Sequence, residues 1–254
     1  MPEGDTIRLT AIRLGRALAG KTVVRAARLD GSERLVGRAI TSIESRGKVL
    51  LITFDDGAVL HSHMKMTGSW HLYRPGERWK APAFRACVEL EVADAVAVCF
   101  DAPVIEVVTA SAARRVVSGL GPDLLSPDFE RAEALRRLVA ESDRALGDAV
   151  LQQSVVAGIG NIWKSETLFA CRLDPFARVP MFSDDELGLV LDTARRLLSE
   201  SVQRTRTGVG GRRHAAYGRS GRPCRVCGTT IEMKRQGDAG RSTYFCPRCQ
   251  PPRR

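Results

Sequence analysis

Two Cys-x-x-Cys pairs, Cys224/Cys227 and Cys246/Cys249, separated by eighteen residues, constrain this chain more than any other feature. Each such turn brings two sulfurs onto one ion, and two turns complete a tetrahedron. Soft thiolates in a closed site select zinc and leave no open position for a reacting water. One structural Zn2+ is therefore expected, with an iron–sulfur cluster as the alternative. A module of about thirty residues cannot build an adequate core, so metal binding supplies its folding free energy. Between the pairs, Thr229–Lys234 and Ser242–Phe245 predict a hairpin whose tip carries Arg235, Gly237, Gly240 and Arg241.

The remaining cysteines, Cys87, Cys99 and Cys171, are scattered in apolar surroundings and read as inert core residues. An odd total of seven argues against a disulfide framework. The opening MPEGDTIR carries acids and no apolar stretch, so a cytosolic, reducing compartment is the expectation. No apolar run approaches the roughly 20 residues that span a bilayer. Charge is strongly uneven: positions 204–254 hold thirteen basic and two acidic residues, while the first 203 residues hold 26 basic and 27 acidic. A near-neutral body with a basic C-terminal fifth indicates a module that binds a polyanion, a solvated basic tail being the plainer reading.

Apolar periodicity divides the chain. Ile7, Ala11, Leu14 and Leu18 share one helical face between Thr6 and Ala19, with Asp5 as a candidate N-cap and Gly20 as a stop. Val49–Phe54, closed by Asp55-Asp56-Gly57 and answered by 58–61, predicts a hairpin. Alternation through Phe84–Val92, then Val96–Phe100 and Val104–Val108, extends a strand series, so residues 1–120 read as one helix with a β-sandwich or barrel. After Gly121-Pro122-Asp123 the period becomes helical, over 130–141, 147–157, 161–171 and 183–204, each with a polar outer face. The joint Ala157-Gly-Ile-Gly160 leads straight into Asn161 and reads either as a packing feature or as a place where backbone amides approach a phosphate. The segment 206–221, rich in Gly and Arg, reads as a linker.

Pro2 follows the initiator methionine, which is normally removed before a small residue. The exposed group is then a secondary amine less basic than a lysine, unprotonated in part at neutral pH and able to attack a sugar carbon as an iminium-forming nucleophile. Glu3 beside it is a candidate acid for opening the sugar ring. Taken alone, both residues also fit an ordinary chain start.

In combination they do not stand alone. MPEGDT, Ser45-Arg-Gly-Lys-Val-Leu50, His61-Ser-His-Met-Lys-Met-Thr-Gly68, Gly121-Pro-Asp-Leu-Leu125, QSVVAGIGNIWK over Gln153–Lys164, and Tyr217-Gly-Arg before the four cysteines resemble, in order and spacing, the formamidopyrimidine-DNA glycosylase and endonuclease VIII family. The likeness covers nearly the whole chain and is closest to the actinobacterial endonuclease VIII branch. It implies an α+β multidomain protein: an N-terminal helix with a β-sandwich (1–120), a helix–two-turn–helix DNA-binding domain (121–206), and a linker with a C-terminal zinc ribbon (207–254).

The resemblance further implies a bifunctional DNA glycosylase and abasic-site lyase of base excision repair. Pro2 would be the Schiff-base nucleophile and Glu3 the acid that protonates the deoxyribose ring oxygen. Lys48 would assist base loss and β-elimination, a surface lysine at a strand start being the plainer reading. Asn161 would bind a phosphate, and Arg241 would grip phosphates flanking the lesion and serve δ-elimination. His63 matches a histidine near the DNA backbone, a structural histidine being the other reading. Lys65, Met66 and Thr67 lie where the family fills the void left by a flipped nucleotide, and Met66 is an unbranched apolar wedge, a core methionine being the other reading. Expected partners are duplex DNA with a damaged base or abasic site, with single-stranded or bubble DNA as a further substrate. No membrane is expected, and the protein would act as a monomer in the cytoplasm, on the nucleoid.

Two positions depart from the family pattern. Thr6 stands where many relatives carry a second glutamate, and Gly119 where a DNA-contacting arginine is found, although Arg114 and Arg115 are nearby. The span 206–217 also looks short for a lesion-capping loop, which favours oxidised pyrimidines over a large oxidised purine. A catalytically silent damage-binding protein on the same scaffold, an enzyme preferring oxidised purines, and a zinc-ribbon nucleic-acid binder unrelated to repair are the competing readings.

Overall fold

The computed structural model describes residues 2–209 and 214–253. The chain divides into two compact units, Thr6–Gly119 with Pro2, and Leu120 onward with Glu3–Asp5.

Helix α1 (Gly4–Leu18) buries Ile7, Ala11, Leu14 and Leu18, the face predicted by their spacing. It begins earlier than expected, so Asp5 lies within the first turn and does not cap it. Gly20 follows with a φ of 77°, the left-handed conformation that ends a helix most cheaply on glycine. Eight strands come next: β1 (Arg25–Ala27), β2 (Ile40–Arg46), β3 (Val49–Phe54), β4 (Ala58–His63), β5 (Ser69–Tyr73), β6 (Ala86–Val92), β7 (Ala95–Phe100) and β8 (Val104–Thr109). They form two antiparallel four-stranded sheets, in the orders β1-β6-β7-β5 and β2-β3-β4-β8. The expected β3–β4 hairpin turns at Asp55-Asp56-Gly57, where the Asp56 carboxylate accepts the Ala58 N–H at 2.9 Å and Gly57 adopts a φ of 81°. One apolar core draws Leu50, Ile52 and Leu60 from one sheet and Val88, Leu90 and Ala97 from the other, together with the buried face of α1.

Four elements of this unit exceed the prediction: β1, β2, β5 and a second helix, α2 (Ala110–Ser118). Helix α2 is capped by the Thr109 hydroxyl, which accepts the Ala112 N–H at 3.3 Å. It buries Ala113 fully and Val116 and Val117 in part, a short apolar side opposite Arg114 and Arg115.

The second unit contains α3 (Arg131–Val139), α4 (Leu146–Ala149), α5 (Asn161–Cys171), α6 (Asp184–Arg206) and the hairpin β9 (Glu232–Gln236) with β10 (Arg241–Phe245). Leu138, Leu146, Val156, Ile159, Leu168, Leu191 and Leu198 meet in its main core. A capping box fixes the start of α6, with Ser183 and Glu186 each bonding the other's backbone N–H. The predicted helix over 147–157 shrinks to the single turn of α4. Beyond it, the Gln153 amide donates to the carbonyls of Leu151 (3.0 Å) and Ile159 (2.9 Å), and its Oε1 accepts the Gly158 N–H (3.1 Å). These bonds hold the backbone in irregular turns that a helix would forbid. Helix α5 also departs from prediction: it has no polar outer face, because Asn161, Lys164, Ser165, Glu166 and Thr167 are all buried.

Candidate functional site

Glu3 is 1% exposed, and its carboxylate accepts the backbone N–H groups of Gly160 (3.0 Å), Ile162 (2.7 Å) and Trp163 (3.1 Å). It thus occupies the otherwise unpaired amides at the start of α5, where the helix field favours negative charge. Of the two readings of the glycine joint, packing is the one realised at these amides: they hold a side chain of the chain itself. The glycines make that possible. A Cβ on Gly160 would stand 2.3 Å from Glu3 Cδ, and one on Gly4 would stand 2.8 Å from Gly158 Cα. Gly4 also donates its N–H to the Gly158 carbonyl at 2.9 Å, so residues 3–4 dock on the joint by backbone as well as side chain. Gly160→Ala is expected to displace the Glu3 carboxylate and, on the expectation that Glu3 is the acid, to cut single-turnover cleavage of abasic DNA about 100-fold. Unchanged cleavage would show that the seat of Glu3 does not matter to the chemistry.

Asn161, the first residue of α5, donates from Nδ2 to the Ser242 carbonyl (2.7 Å) and Oγ (3.2 Å), so its amide is tied to β10. Its Oδ1 is buried and accepts no hydrogen bond among the described residues. Next to it runs a buried relay. Lys164, 0% exposed, donates to Thr243 Oγ1 (2.7 Å), which donates to Gln236 Oε1 (2.7 Å), whose Nε2 donates to the Pro175 carbonyl (2.7 Å). Burial pushes the Lys164 ammonium down to about 8, opposed by the negative charge of Asp148. Glu166 repeats the device of Glu3: its carboxylate accepts the N–H groups of Ala215, Ala216 and Tyr217, each at 2.8 Å. Helix α5 is thereby the hub that seats Glu3, the hairpin and the segment before the cysteines. Arg241 is exposed and opposite Gln236 in the ladder; it flanks the hairpin turn, and Arg235 lies one position further back, opposite Ser242, so neither is at the tip. The linker on which lesion preference was argued lies partly outside the described residues, at 210–213. Of the rest, α6 runs on through Arg206 and Glu166 holds 215–217.

In the first unit, Pro2 is half-buried ahead of α1. Lys48 sits with Gly47 in the two-residue turn joining β2 to β3, where Gly47 has a φ of 56° and Arg46 pairs with Val49. His63 ends β4, and its Nδ1 accepts the Lys65 N–H at 3.0 Å. Burial, with the charges of Lys65 and Lys48, lowers its pKa from 6.5 to about 4. The imidazole is therefore neutral at physiological pH with its proton on Nε2, a hydrogen-bond donor without charge. Between those two values the unfolded chain binds the extra proton, so His63 costs stability as pH falls through that window. Ring NMR shifts of the free protein are expected to show His63 neutral at pH 6; an imidazolium there would contradict the assignment.

Lys65, Met66 and Thr67 form an exposed turn, Met66 being 66% exposed, which removes the reading of Met66 as a core residue. Met64 takes the core position instead. The turn is closed by Gly68 N–H to the Met64 carbonyl (2.8 Å) and by the Thr67 hydroxyl to the Asp101 carbonyl (2.9 Å). Of the two departing positions, Thr6 is exposed in the first turn of α1, and Gly119 ends α2 in open space while Arg114 and Arg115 are exposed.

The sulfur atoms of Cys224, Cys227, Cys246 and Cys249 all lie within 4.8 Å of one another, with separations of 3.9 Å (224–249), 3.5 Å (227–246) and 3.5 Å (227–249). Tetrahedral zinc with Zn–S of about 2.3 Å requires sulfurs roughly 3.8 Å apart, so the four fit one ion. The N–H groups of Val226 and Cys249 point at Cys224 Sγ and Cys246 Sγ (3.4 Å each), as expected around thiolates. With four protein ligands the site is closed, and zinc there organises structure. Burial pushes the Cys99 and Cys171 thiols up, which fits their reading as inert.

A β-sandwich unit, a helical unit with a glycine joint entering a buried helix, and a four-thiolate ribbon define the class of zinc-finger DNA glycosylases that carry lyase activity. Comparison with known proteins agrees over the length of the chain. Residues 1–103 match the formamidopyrimidine-DNA glycosylase N-terminal domain, 120–212 its H2TH domain, and 221–252 the zinc finger found in FPG and IleRS. The chain is 40% identical to a probable endonuclease 8 2 of Streptomyces coelicolor, over 98% of this chain and 94% of that one. It is also 40% identical to the DNA-(apurinic or apyrimidinic site) lyase Nei2 of Mycolicibacterium smegmatis, over 98% and 99%. In fold it superposes on a MutM structure in complex with DNA containing carbocyclic 8-oxo-G, with a TM-score of 0.85 at 22% identity, covering 99% of this chain and 100% of that one. The chain belongs to the formamidopyrimidine-DNA glycosylase and endonuclease 8 family.

Lys164 and Glu166 were missed by sequence reasoning. Their one signal was the occurrence of two charges in a helix flanked by Trp163, Leu168 and Phe169, a pattern that a solvent-facing helix would not need.

Proposed function

We propose that this protein excises oxidised pyrimidines from DNA and cleaves the resulting abasic site through a Schiff base on Pro2. The observation that carries the reading is the buried Glu3 carboxylate, clamped by three backbone N–H groups one residue after the proline. The Pro2 nitrogen attacks C1′ and the base leaves with the C1′–N bond pair. The proton that the Pro2 nitrogen loses passes to the Glu3 carboxylate, which delivers it to the ring oxygen. The nitrogen lone pair forms the C1′=N bond as the C1′–O4′ bond breaks, and a ring-opened iminium results. Loss of a C2′ proton then expels the 3′ phosphate, and a second elimination expels the 5′ phosphate. Lys48 serves base loss and the first elimination, and Arg241 the second.

DNA is held by Asn161, Arg241 and His63, and the void left by the flipped nucleotide is entered by Lys65, Met66 and Thr67. The exposure of Met66 on a turn closed by two hydrogen bonds supports that last role. The domain division at 120 and 206, the monomeric state, a cytoplasmic and nucleoid location, and action on bubble DNA belong to the same reading. No described helix is long and apolar enough to cross a membrane.

Lesion choice follows from the little chain available between 206 and 217 to close over a flipped purine. Ring-saturated pyrimidines are non-planar, stack poorly and are extruded most easily. A difference of about 1.4 kcal/mol gives tenfold selectivity. Single-turnover excision is expected to be about tenfold faster for thymine glycol, dihydrouracil and 5-hydroxyuracil than for 8-oxoguanine opposite cytosine. If 8-oxoguanine opposite cytosine were fastest, the pyrimidine reading would fall.

A further inference from the structure

We propose that Phe84 is a second wedge residue, stacking on the base of the undamaged strand that loses its partner when the target nucleotide is flipped. This rests on the reading of Met66 as the void-filling residue. Phe84 is 85% exposed, more than any other large apolar side chain among the described residues. It does not sit on a loose loop. The short helical turn Ala83–Arg85 is held from both sides: Arg28 donates to the Ala83 carbonyl (3.1 Å), and the Arg85 N–H reaches the Pro82 carbonyl (3.0 Å). Trp79, from the same connection between β5 and β6, faces inward against Phe100 and Tyr73 and lies under the Arg28 guanidinium. Phe84 is the ring left outside, on a preorganised support.

Asp101 ties that support to the wedge turn. Its N–H donates to the Arg85 carbonyl (3.0 Å), its carboxylate takes the Arg85 guanidinium (3.0 and 2.5 Å), and its own carbonyl accepts the Thr67 hydroxyl (2.9 Å). Met66 and Phe84 are each one residue away from a bond to Asp101. The two most exposed apolar tips of this unit are therefore anchored on one residue, itself held in the left-handed region at a φ of 50°. Lys65 beside Met66, and Arg78 and Lys80 in the connection that leads to Phe84, are exposed, against Glu77, so the ring stands in a field suited to a polyanion. An aromatic face among cations is the surface on which a nucleobase stacks, without regard to base identity. One tip occupying the void leaves one base unpartnered on the other strand, and Phe84 supplies its stacking surface.

The test is equilibrium binding to duplexes carrying tetrahydrofuran, an uncleavable abasic analogue, opposite either adenine or a second tetrahydrofuran that removes the facing base. Wild type is expected to lose about tenfold in affinity when the facing base is removed, in the range measured for one base stacked on an aromatic ring. Phe84→Ala is expected to bind the adenine duplex about tenfold more weakly and to be indifferent to that removal, while Phe84→Trp restores both the affinity and the dependence. Equal losses in wild type and Phe84→Ala on removing the base, or a wild type indifferent to it, would overturn the assignment. Weakened binding by Met66→Ala with full affinity in Phe84→Ala would overturn it while leaving the Met66 wedge intact. A wild type that does not prefer either tetrahydrofuran duplex to undamaged DNA would remove the damage-binding reading, and this assignment with it.

Discussion

Acetylating the processed N-terminus is expected to abolish borohydride trapping on abasic DNA and to lower strand cleavage on the order of 1000-fold or more, the scale seen when an enzyme loses its nucleophile. The iminium requires an amine that forms two bonds to C1′ in succession, and an amide nitrogen cannot do so. A secondary amine, once condensed, carries a fixed positive charge that acidifies C2′ and sets up the elimination. Pro2→Gly leaves an amine in place and so should still be trapped, in lower yield. Binding to uncleavable abasic DNA should change little in the acetylated protein, because the proposed phosphate contacts are made by Asn161, Arg241 and His63. Trapping at the wild-type level after acetylation would move the nucleophile to a lysine. Lys164 is poorly suited to that role, since it is fully buried and committed to Thr243. Lys48, half-buried in its two-residue turn, would then be the residue to test.

The features legible in the sequence were those with a local physical cause. Ile7, Ala11, Leu14 and Leu18 declare a helix face by spacing alone, and Asp55-Asp56-Gly57 declares a hairpin because only such residues turn cheaply there. The four cysteines declare their ion for the same reason. What could not be read depends on partners distant in the chain. The seat of Glu3 is made by amides 157 to 160 residues away, and Lys164 finds Thr243 79 residues on. The stretch after α4 failed for a different cause: its apolar positions keep a helical period, but Gln153 satisfies the backbone in another way. Helix α2 does carry an apolar side, Ala113 with Val116 and Val117 against Arg114 and Arg115, but its nine residues are too short a window for that period to stand out directly after β8. Asn161 was correctly placed at the head of a helix, yet its bond to Ser242, which fastens the hairpin to α5, has no trace in the sequence near either residue.

Replacing Cys246 with serine is expected to eliminate zinc, unfold the ribbon and lower affinity for abasic DNA about 100-fold or more, with the helical core of the same unit left folded. The ribbon has little apolar interior of its own: Cys224, Ile231, Phe245 and Cys246 are its buried hydrophobic residues, completed by Phe169 of α5 and by Ala216. Structural zinc contributes roughly 10–16 kcal/mol in isolated zinc fingers at neutral pH. The polar ties to the rest of the unit are of a smaller order. Asn161 to Ser242, Lys164 to Thr243, Gln236 to the Pro175 carbonyl and Gln250 to the Leu173 carbonyl are each worth about 1–3 kcal/mol at most. They require a formed hairpin before they can be made, so they cannot replace the metal. Once the hairpin opens, Lys164 becomes a buried ammonium without its hydroxyl partner, which weakens the ribbon side of α5 further. Hydrogen exchange should therefore rise across 221–252 and at the start of α5, while the α3 and α6 amides stay protected. Arg241→Ala is the control that separates grip from structure. Its side chain is exposed and ligates nothing in the ribbon, so the variant should keep one zinc and full protection, yet lose about tenfold in affinity or strand cleavage. Zinc loss in Arg241→Ala equal to that in Cys246→Ser would show that the arginine holds the fold together and would remove it from the DNA-binding surface.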